Sequence, residues 1–268
     1  MKFSVVTISF NQAQFLERAM LSVMRQKNAD LEYIVVDPGS TDGSRDIIER
    51  HRTSLSHIIY EKDEGPADGL NKGFLKASGD VFCYLNSDDE FEPDAFARVE
   101  THLASHPHVD VVCGHAFIVD AAGRRLRRVW SDPFRKTYVA YGAAIQIQPS
   151  TFIRADAFRR VRGFNVQNRI SWDSELLLDL VLSGARVEIL NEFLSLYRLH
   201  PAGITGAGLY KDVAAIQFRL RFERLMGRSW RRRDEIVAKG MFVARQFRNP
   251  QAFLERLLRG KVYGRSTS

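Results

Sequence analysis

Tyr84-Leu85-Asn86-Ser87-Asp88-Asp89 is the stretch on which the reading turns. The apolar run Val81–Leu85 stops abruptly at two adjacent acids. Strands buried inside an α/β sheet read as such runs, and ligands of open α/β sheets bind just beyond the carboxyl ends of the strands. Two carboxylates side by side at that point repel unless a cation or hydrogen-bond donors lie between them. A divalent ion holding a diphosphate would relieve the repulsion and account for the placement.

Upstream, the same arrangement repeats. Phe3–Ser9 reads as a first strand, and Phe15, Leu16, Ala19, Met20, Val23 and Met24 recur at helical spacing. Glu32–Asp37 is a second strand ending in an acid, and Pro38–Ser44 is a turn leading into a helix around Ile47 and Ile48. His57–Tyr60 is a third strand. Residues 66–78 read as a helix, with Gly69 and Gly73 counting against it. Strand and helix thus alternate, which predicts an α/β fold with a mainly parallel, Rossmann-like sheet flanked by helices. Chemistry is expected at Ser9–Asn11, Asp37, Glu61–Asp63 and Asn86–Asp89.

Downstream the pattern changes. Val109–Val119 and Leu126–Trp130 read as strands around a turn at Ala121-Ala122-Gly123. Gln146–Ile153 reads as another strand, Asp173–Leu182 as a helix stopped by Gly184, and Val187–Leu190 and Phe193–Leu199 as two further strands. Residues 1–207 are expected to form the main domain, with a small β extension, and 208–268 a basic helical segment.

Composition bounds the function. The 268 residues carry a net charge of +7, but residues 210–268 hold 15 Lys/Arg against 5 Asp/Glu, so the basic character belongs to that segment alone. Cys83 and Cys113 lie in apolar runs, as buried thiols in a reducing compartment do. No Cys/His spacing suggests zinc, and no run approaches the ~18 apolar residues of a spanning helix. With no leader-like start, the expected location is cytoplasmic, either free or peripheral on the inner face of the membrane.

Taken in order, the motifs resemble those of the family 2 glycosyltransferases, which use nucleotide sugars and have the GT-A fold. The matching blocks are Val6–Asn11, Val35–Ser44, Glu61–Gly65 with Asp68, Asn71, Lys72 and Gly73, and Leu85–Asp89. Gln148–Thr151 with Gly163-Phe164, Trp172–Glu175 and Tyr197–His200 follow. Each block alone is weak; seven in sequence over residues 3–205 are specific.

The resemblance implies roles. Thr7, Ser9 and Asp37 would hold the nucleobase and ribose, although Asp37 is equally a turn acid bonding the Gly39 or Ser40 N–H. Lys62 and Asp68 would approach the nucleotide or its sugar, against the alternative of a solvated charged loop. Asp88 and Asp89 look like the acidic motif for a divalent metal, Mn2+ or Mg2+, with Asp88 also near the nucleotide. Where the family usually has an acid two residues before the central one, this chain has Asn86, which can donate to a sugar or diphosphate oxygen but adds no charge. The bland reading of the acids is a favourable helix-dipole contact. His200 would approach the metal or diphosphate.

Asp173 matches the catalytic base that takes the proton of an acceptor hydroxyl, giving inversion; its bland reading is an N-cap. Trp172 stands where the family has an acid and is a candidate to stack on a sugar; Glu175 is the rival base, and Gln148 a candidate acceptor contact. The expected partners are a nucleoside diphosphate sugar, with UDP favoured, and a saccharide or lipid-linked acceptor of a surface polysaccharide pathway. The basic segment suits an anionic membrane surface, while nothing organises its arginines as a nucleic-acid motif.

Two rivals stand beside this reading. A sugar nucleotidylyltransferase should carry a Gly-rich, basic loop after the first strand, where this chain has Phe10-Asn11-Gln12-Ala13. A non-enzymatic membrane or nucleic-acid adapter would depend on the basic segment and not on Asp173.

Overall fold

The computed structural model describes residues 1–27, 29–201 and 211–260. Along the chain these form β1 (Lys2–Ile8), α1 (Ala13–Met24), β2 (Asp30–Val36), α2 (Ser44–Arg50), β3 (His57–Ile59), α3 (Pro66–Phe74), β4 (Val81–Asn86), β5 (Glu90–Phe91) and α4 (Ala95–Ser105). Then come β6 (Val111–Val119), β7 (Arg125–Val129), α5 (Lys136–Ala140), β8 (Thr151–Arg154), α6 (Ala155–Arg159), α7 (Trp172–Leu182), β9 (Val187–Arg198), α8 (Lys211–Met226), α9 (Arg232–Arg248) and α10 (Pro250–Arg259).

The sheet runs β3-β2-β1-β4-β8-β6-β9-β5, with β7 on β6. The first four strands are parallel: β1 pairs along its whole length with β2, from Lys2↔Asp30 to Ile8↔Val36, and with β4, from Phe3↔Val81 to Ile8↔Asn86. β8 turns the sheet antiparallel, pairing Phe82 with Ile153 and Val112 with Phe152. The parallel half is the α/β arrangement that the alternation predicts, and the antiparallel strands are the expected β extension.

Packing divides the chain into two units, Met1–Ala116 with Ile147–Tyr197, and Phe117–Gln146 with Arg198–Ser268. The expected boundary at 207/208 lies outside the described residues, and the grouping of 117–146 with the C-terminal helices was not anticipated from the sequence.

In the first unit both faces of the parallel strands are buried, which is why they read as unbroken apolar runs. One face sets Phe3, Val5, Cys83 and Leu85 against Leu16 and Met20 of α1 and Phe96, Val99 and Leu103 of α4. Phe3 stacks on Phe96 with centroids 5.0 Å apart, and Phe152 meets Phe96 edge-on at 5.4 Å. Each such buried ring contributes about 1.5–3 kcal/mol. On the other face Phe74, Phe82, Phe158 and Phe164 form a second aromatic cluster. Here α3 comes so close to the sheet that a Cβ on Gly73 would lie 2.5 Å from Val6 Cγ1, and one on Gly69 2.7 Å from Asp63 Oδ2. The two glycines that weaken the helical reading of 66–78 are what let α3 dock, and the helix ends earlier, at Phe74.

Two other expectations are corrected. Gln148 does not lie in a strand: residues Gln148–Ser150 form a 3-10 turn started by Pro149, and the strand begins at Thr151. The two strands expected over 187–199 are one, β9, running through the polar pair Asn191-Glu192.

In the second unit Tyr141, Phe222 and Trp230 pack edge-on and tilted against one another. Asp234, nearly fully buried, takes both Arg228 terminal nitrogens at 2.7 Å and the Tyr141 hydroxyl at 2.8 Å. Arg245 reaches Asp132 at 2.8 Å, and Arg248 donates to the Ala143 carbonyl while stacking over Tyr138. Much of the basic segment is therefore spent inside its own unit. No helix among the described residues is long and apolar enough to cross a membrane.

Candidate active site

The carboxyl ends of β1, β2 and β4 lie side by side, because those strands pair in register to their last residues. Their loops are tied together. Asn11 N–H donates to Ser40 Oγ at 2.8 Å, Thr41 N–H returns to Asn11 Oδ1 at 2.9 Å, and Asp42 accepts from Ala13 N–H at 2.8 Å. Ser87 N–H donates to the Ile8 carbonyl, bringing the start of the acidic turn onto the end of β1.

Asp37 is 0% exposed. Its Oδ1 accepts from Gly39 N–H at 3.1 Å, Ser40 N–H at 2.8 Å and Arg45 Nε at 3.2 Å, which is the turn role the sequence offered. Its Oδ2 is buried without any hydrogen-bond partner, as are Ser9 Oγ and Gln12 Oε1. Buried polar atoms left unsatisfied cost about 1–3 kcal/mol each; two of these three follow the ends of β1 and β2, and the third is at the N-cap of α1. Thr7 is different: its hydroxyl is fully buried and shared with the Tyr33 hydroxyl at 3.0 Å, so it braces β1 against β2.

Past β3, Asp68 holds the loop. It accepts from Glu64 N–H at 3.0 Å and pairs with Lys72 at 2.9 Å. Burial acts to raise its pKa, but those two donors outweigh it and the net shift is downward. Lys72 also donates to the Lys62 carbonyl, while Lys62 itself is exposed. Asp63, between them, behaves in the opposite sense. Burial lifts its pKa, the Gly65 N–H and Lys72 only partly oppose this, and the charges of Asp68 and Asp37 lift it further. Asp63 therefore feels the charge of Asp37, a relation its position in the sequence does not reveal.

At the end of β4, Asn86 Nδ2 donates to Gln148 Oε1 at 3.2 Å, and Gln148 Nε2 donates to the Tyr84 carbonyl at 2.9 Å. Asp89 is 2% exposed, its N–H turned back to the Asn86 carbonyl at 3.1 Å, and Asp88 beside it is half-buried. The Tyr84 hydroxyl responds to several of these groups at once. Burial pushes it far above the ordinary tyrosine range, the charge of Asp173 adds to this, the Trp172 indole N–H opposes it, and the charge of Asp89 adds again. The Trp172 indole N–H thus acts on the Tyr84 hydroxyl, although the pair falls short of full hydrogen-bond geometry. The charges of Asp89 and Asp173, 84 positions apart in sequence, thus both act on one buried hydroxyl.

Asp173 lies in the first turn of α7, whose N-cap is Ser171, so its capping alternative falls away. Trp172 is 6% exposed and has little ring face to offer a sugar. Glu175 accepts from Asn165 Nδ2 at 3.1 Å and Asn168 Nδ2 at 2.6 Å, holding the loop ahead of α7. His200 belongs to the second unit, where it is buried just past β9. The residue that sequence reasoning passed over is Tyr84, which stood in a recognised block but, as an aromatic in an apolar run, reads as core; Asp63 was expected among the chemistry-bearing strand ends without a role of its own.

The family model described as glycosyl transferase family 2 matches residues 4–162. The chain is 28% identical over 213 residues to an uncharacterized glycosyltransferase of Nostoc, covering 75% of this chain and 66% of that protein. It is 30% identical over 177 residues to a PGL/p-HBAD biosynthesis glycosyltransferase of Mycobacterium bovis, covering 64% and 67%. The chain thus spans about two thirds of the length of these curated relatives. Among solved structures, S. aureus TarS 1–349 in complex with UDP-GlcNAc superposes with a TM-score of 0.68 at 16% identity, covering 97% of this chain and 78% of that one. The mannosyltransferase PcManGT from Pyrobaculum calidifontis, in complex with GDP-Man and Mn2+, gives 0.64 at 17% identity, covering 96% and 73%.

The fold is that of these GT-A enzymes, and the chain belongs to glycosyl transferase family 2. It is a transferase of glycosyl groups.

Proposed function

We propose that the protein transfers a sugar from a nucleoside diphosphate donor, UDP-linked, to a hydroxyl of a lipid-linked saccharide, with inversion at the anomeric carbon. The observation that carries this is the set of side-by-side carboxyl ends of β1, β2 and β4, where Ser87 ties the acidic turn Asp88-Asp89 to the end of β1 and Asp37 presents an unpartnered oxygen, while the charges of Asp89 and Asp173 both act on the buried Tyr84 hydroxyl. The UDP-GlcNAc complex of TarS and the GDP-Man complex of PcManGT support a nucleotide-sugar donor.

Asp37 Oδ2 is an acceptor aimed at a nucleobase N–H, with Ser9 Oγ beside it for the nucleoside. Asn86, steered by Gln148, offers its amide at the diphosphate end. Two adjoining carboxylates, one of them buried, are a hard oxygen donor set that suits Mn2+ or Mg2+. Asp88 and Asp89 would hold that ion, which when bound offsets the charge developing on the departing diphosphate. Asp173 takes the proton of the acceptor hydroxyl as its oxygen forms the new bond to the anomeric carbon and the bond to the diphosphate breaks. Glu175, held by two asparagines, is the weaker candidate for that step.

A membrane-borne acceptor is supported by α10. Its Glu255, largely buried, accepts from Arg128 N–H, and its Arg259, half exposed, donates to the Leu126 carbonyl, so these two side chains tie α10 to β7. Leu254, Leu257 and Leu258 are left 56%, 65% and 74% exposed. An outward apolar face on a strongly basic segment is the arrangement that binds anionic bilayers. The reading is tested by donor binding, with UDP-, GDP-, CDP- and dTDP-sugars with and without Mn2+, followed by transfer to lipid-linked acceptors on vesicles. Stabilisation by a UDP-sugar with Mn2+ is expected; no response to any donor contradicts the reading.

A further inference from the structure

We propose a second cation site, for a borderline transition metal such as Zn2+, formed by His102, His106 and Glu188 at the edge of the sheet opposite Asp88 and Asp89. The opposite edge follows from the topology. β4 ends at Asn86 and α4 runs back along the sheet, so that Glu100 near its end meets the amino group of Met1, where β1 begins.

His102 and His106 stand one helical turn apart, the spacing at which two side chains share a helix face. Their rings stack with centroids 4.2 Å apart. Glu188, near the start of β9, brings Oε2 to 3.3 Å from His102 Nε2. One ligand atom from each of the three residues lies within 4.8 Å of the other two, in reach of a shared ion.

Two further observations point to a ligand. His106 Nδ1 lies 2.9 Å from the His102 carbonyl. A carbonyl only accepts, so this contact puts the proton on Nδ1, with Ser105 Oγ, 3.0 Å away, as a second acceptor, and Nε2 presents its lone pair. Metal-binding histidines are commonly fixed in this way by a hydrogen bond from the other ring nitrogen. In addition, His102 Nε2 is buried without a hydrogen bond although the carboxylate is 3.3 Å away, so it is not satisfied as an ordinary donor. Two imidazoles and one carboxylate form a set that Zn2+ takes readily and Mg2+ does not. His108 Nε2, 3.2 Å from Glu188 Oε1, is the neighbouring group that orients the carboxylate. Bound there, the ion would clamp the end of α4 to β9.

The test is titration of the full chain with ZnCl2 alone, followed by calorimetry and thermal unfolding, with MgCl2 as the hard-cation control. Wild type should bind one equivalent at this site and unfold about 5 °C higher at roughly hundredfold excess over the dissociation constant. Asp89→Asn should retain this response. His106→Ala and Glu188→Gln, both at partly exposed positions, should each weaken Zn2+ binding at least about tenfold. The proposal is overturned if Asp89→Asn abolishes the Zn2+ response, or if His106→Ala and Glu188→Gln leave it intact. Neither readout involves transfer activity, so failure here is distinct from failure of the proposed reaction.

Discussion

Asn86 and Gln148 are locked together: the Asn86 amide donates to Gln148 Oε1 at 3.2 Å, and the Gln148 amide is fixed in turn by the Tyr84 carbonyl at 2.9 Å. Family enzymes usually have an acid where this chain has Asn86, and here the neutral amide has a dedicated partner. Asn86→Asp should strengthen Mn2+ binding by about fivefold, roughly 1 kcal/mol, since Gln148 can turn its amide to donate to the new carboxylate. Manganese dependence of donor binding in the two proteins checks this; unchanged or weaker dependence counts against the assigned place of residue 86.

Tyr84 separates stability from activity. Its hydroxyl is buried without a partner, so Tyr84→Phe should leave the protein as stable or up to about 1 kcal/mol more stable. The same change removes the hydroxyl on which the charge of Asp173 acts and should lower kcat about tenfold or more, with donor affinity unchanged. Thermal unfolding and steady-state kinetics on one sample decide it. A stable variant with wild-type kcat would make the hydroxyl irrelevant to the reaction.

Acid sensitivity should centre on Glu32, away from the chemistry. Burial works to raise its pKa, but donors from Ser4, Ser78 and Lys2 outweigh this and hold it at about 2. A depressed carboxyl pKa contributes stability that is fully present above the ordinary value, near 4.5, and is lost as pH falls towards about 2. Glu32→Gln should cost about 2–3 kcal/mol at pH 7, and the gap to wild type should close between about pH 4.5 and 2. Denaturant melts across that range provide the comparison; a gap independent of pH contradicts it.

The apolar face of α10 should govern vesicle binding. Replacing Leu254, Leu257 and Leu258 together with serine should reduce sedimentation with anionic vesicles by about tenfold or more while leaving transfer to a water-soluble acceptor intact. Equal sedimentation of the two proteins would remove α10 from the account.

The parallel half of the fold was legible because its strands are buried on both faces and end in chemistry-bearing residues, as at Val36-Asp37 and Leu85-Asn86. Much of the acceptor side was not. Gln148 looked like a strand residue because Pro149 disguises a 3-10 turn inside an apolar stretch. Trp172 looked available for stacking, yet its burial depends on the cluster around Tyr84, which no local pattern encodes. Thr7 and Glu175 carried the right chemistry but have other partners, Tyr33 in one case and Asn165 and Asn168 in the other. The basic segment divides between the two readings its charge allowed: Arg228 and Arg245 are tied to buried carboxylates, while Arg231, Arg232 and Arg233 are exposed, as are several apolar residues.

The central claim is that Asp173 is the base for transfer at a donor site built around Asp37 and Asp89. The most direct measurement is parallel calorimetry and product formation with a UDP-sugar and Mn2+ for wild type and Asp173→Asn. The account predicts wild-type donor affinity together with a fall in turnover of about 10²–10⁴-fold for the variant. Turnover within about twofold of wild type, at equal donor affinity, would contradict it.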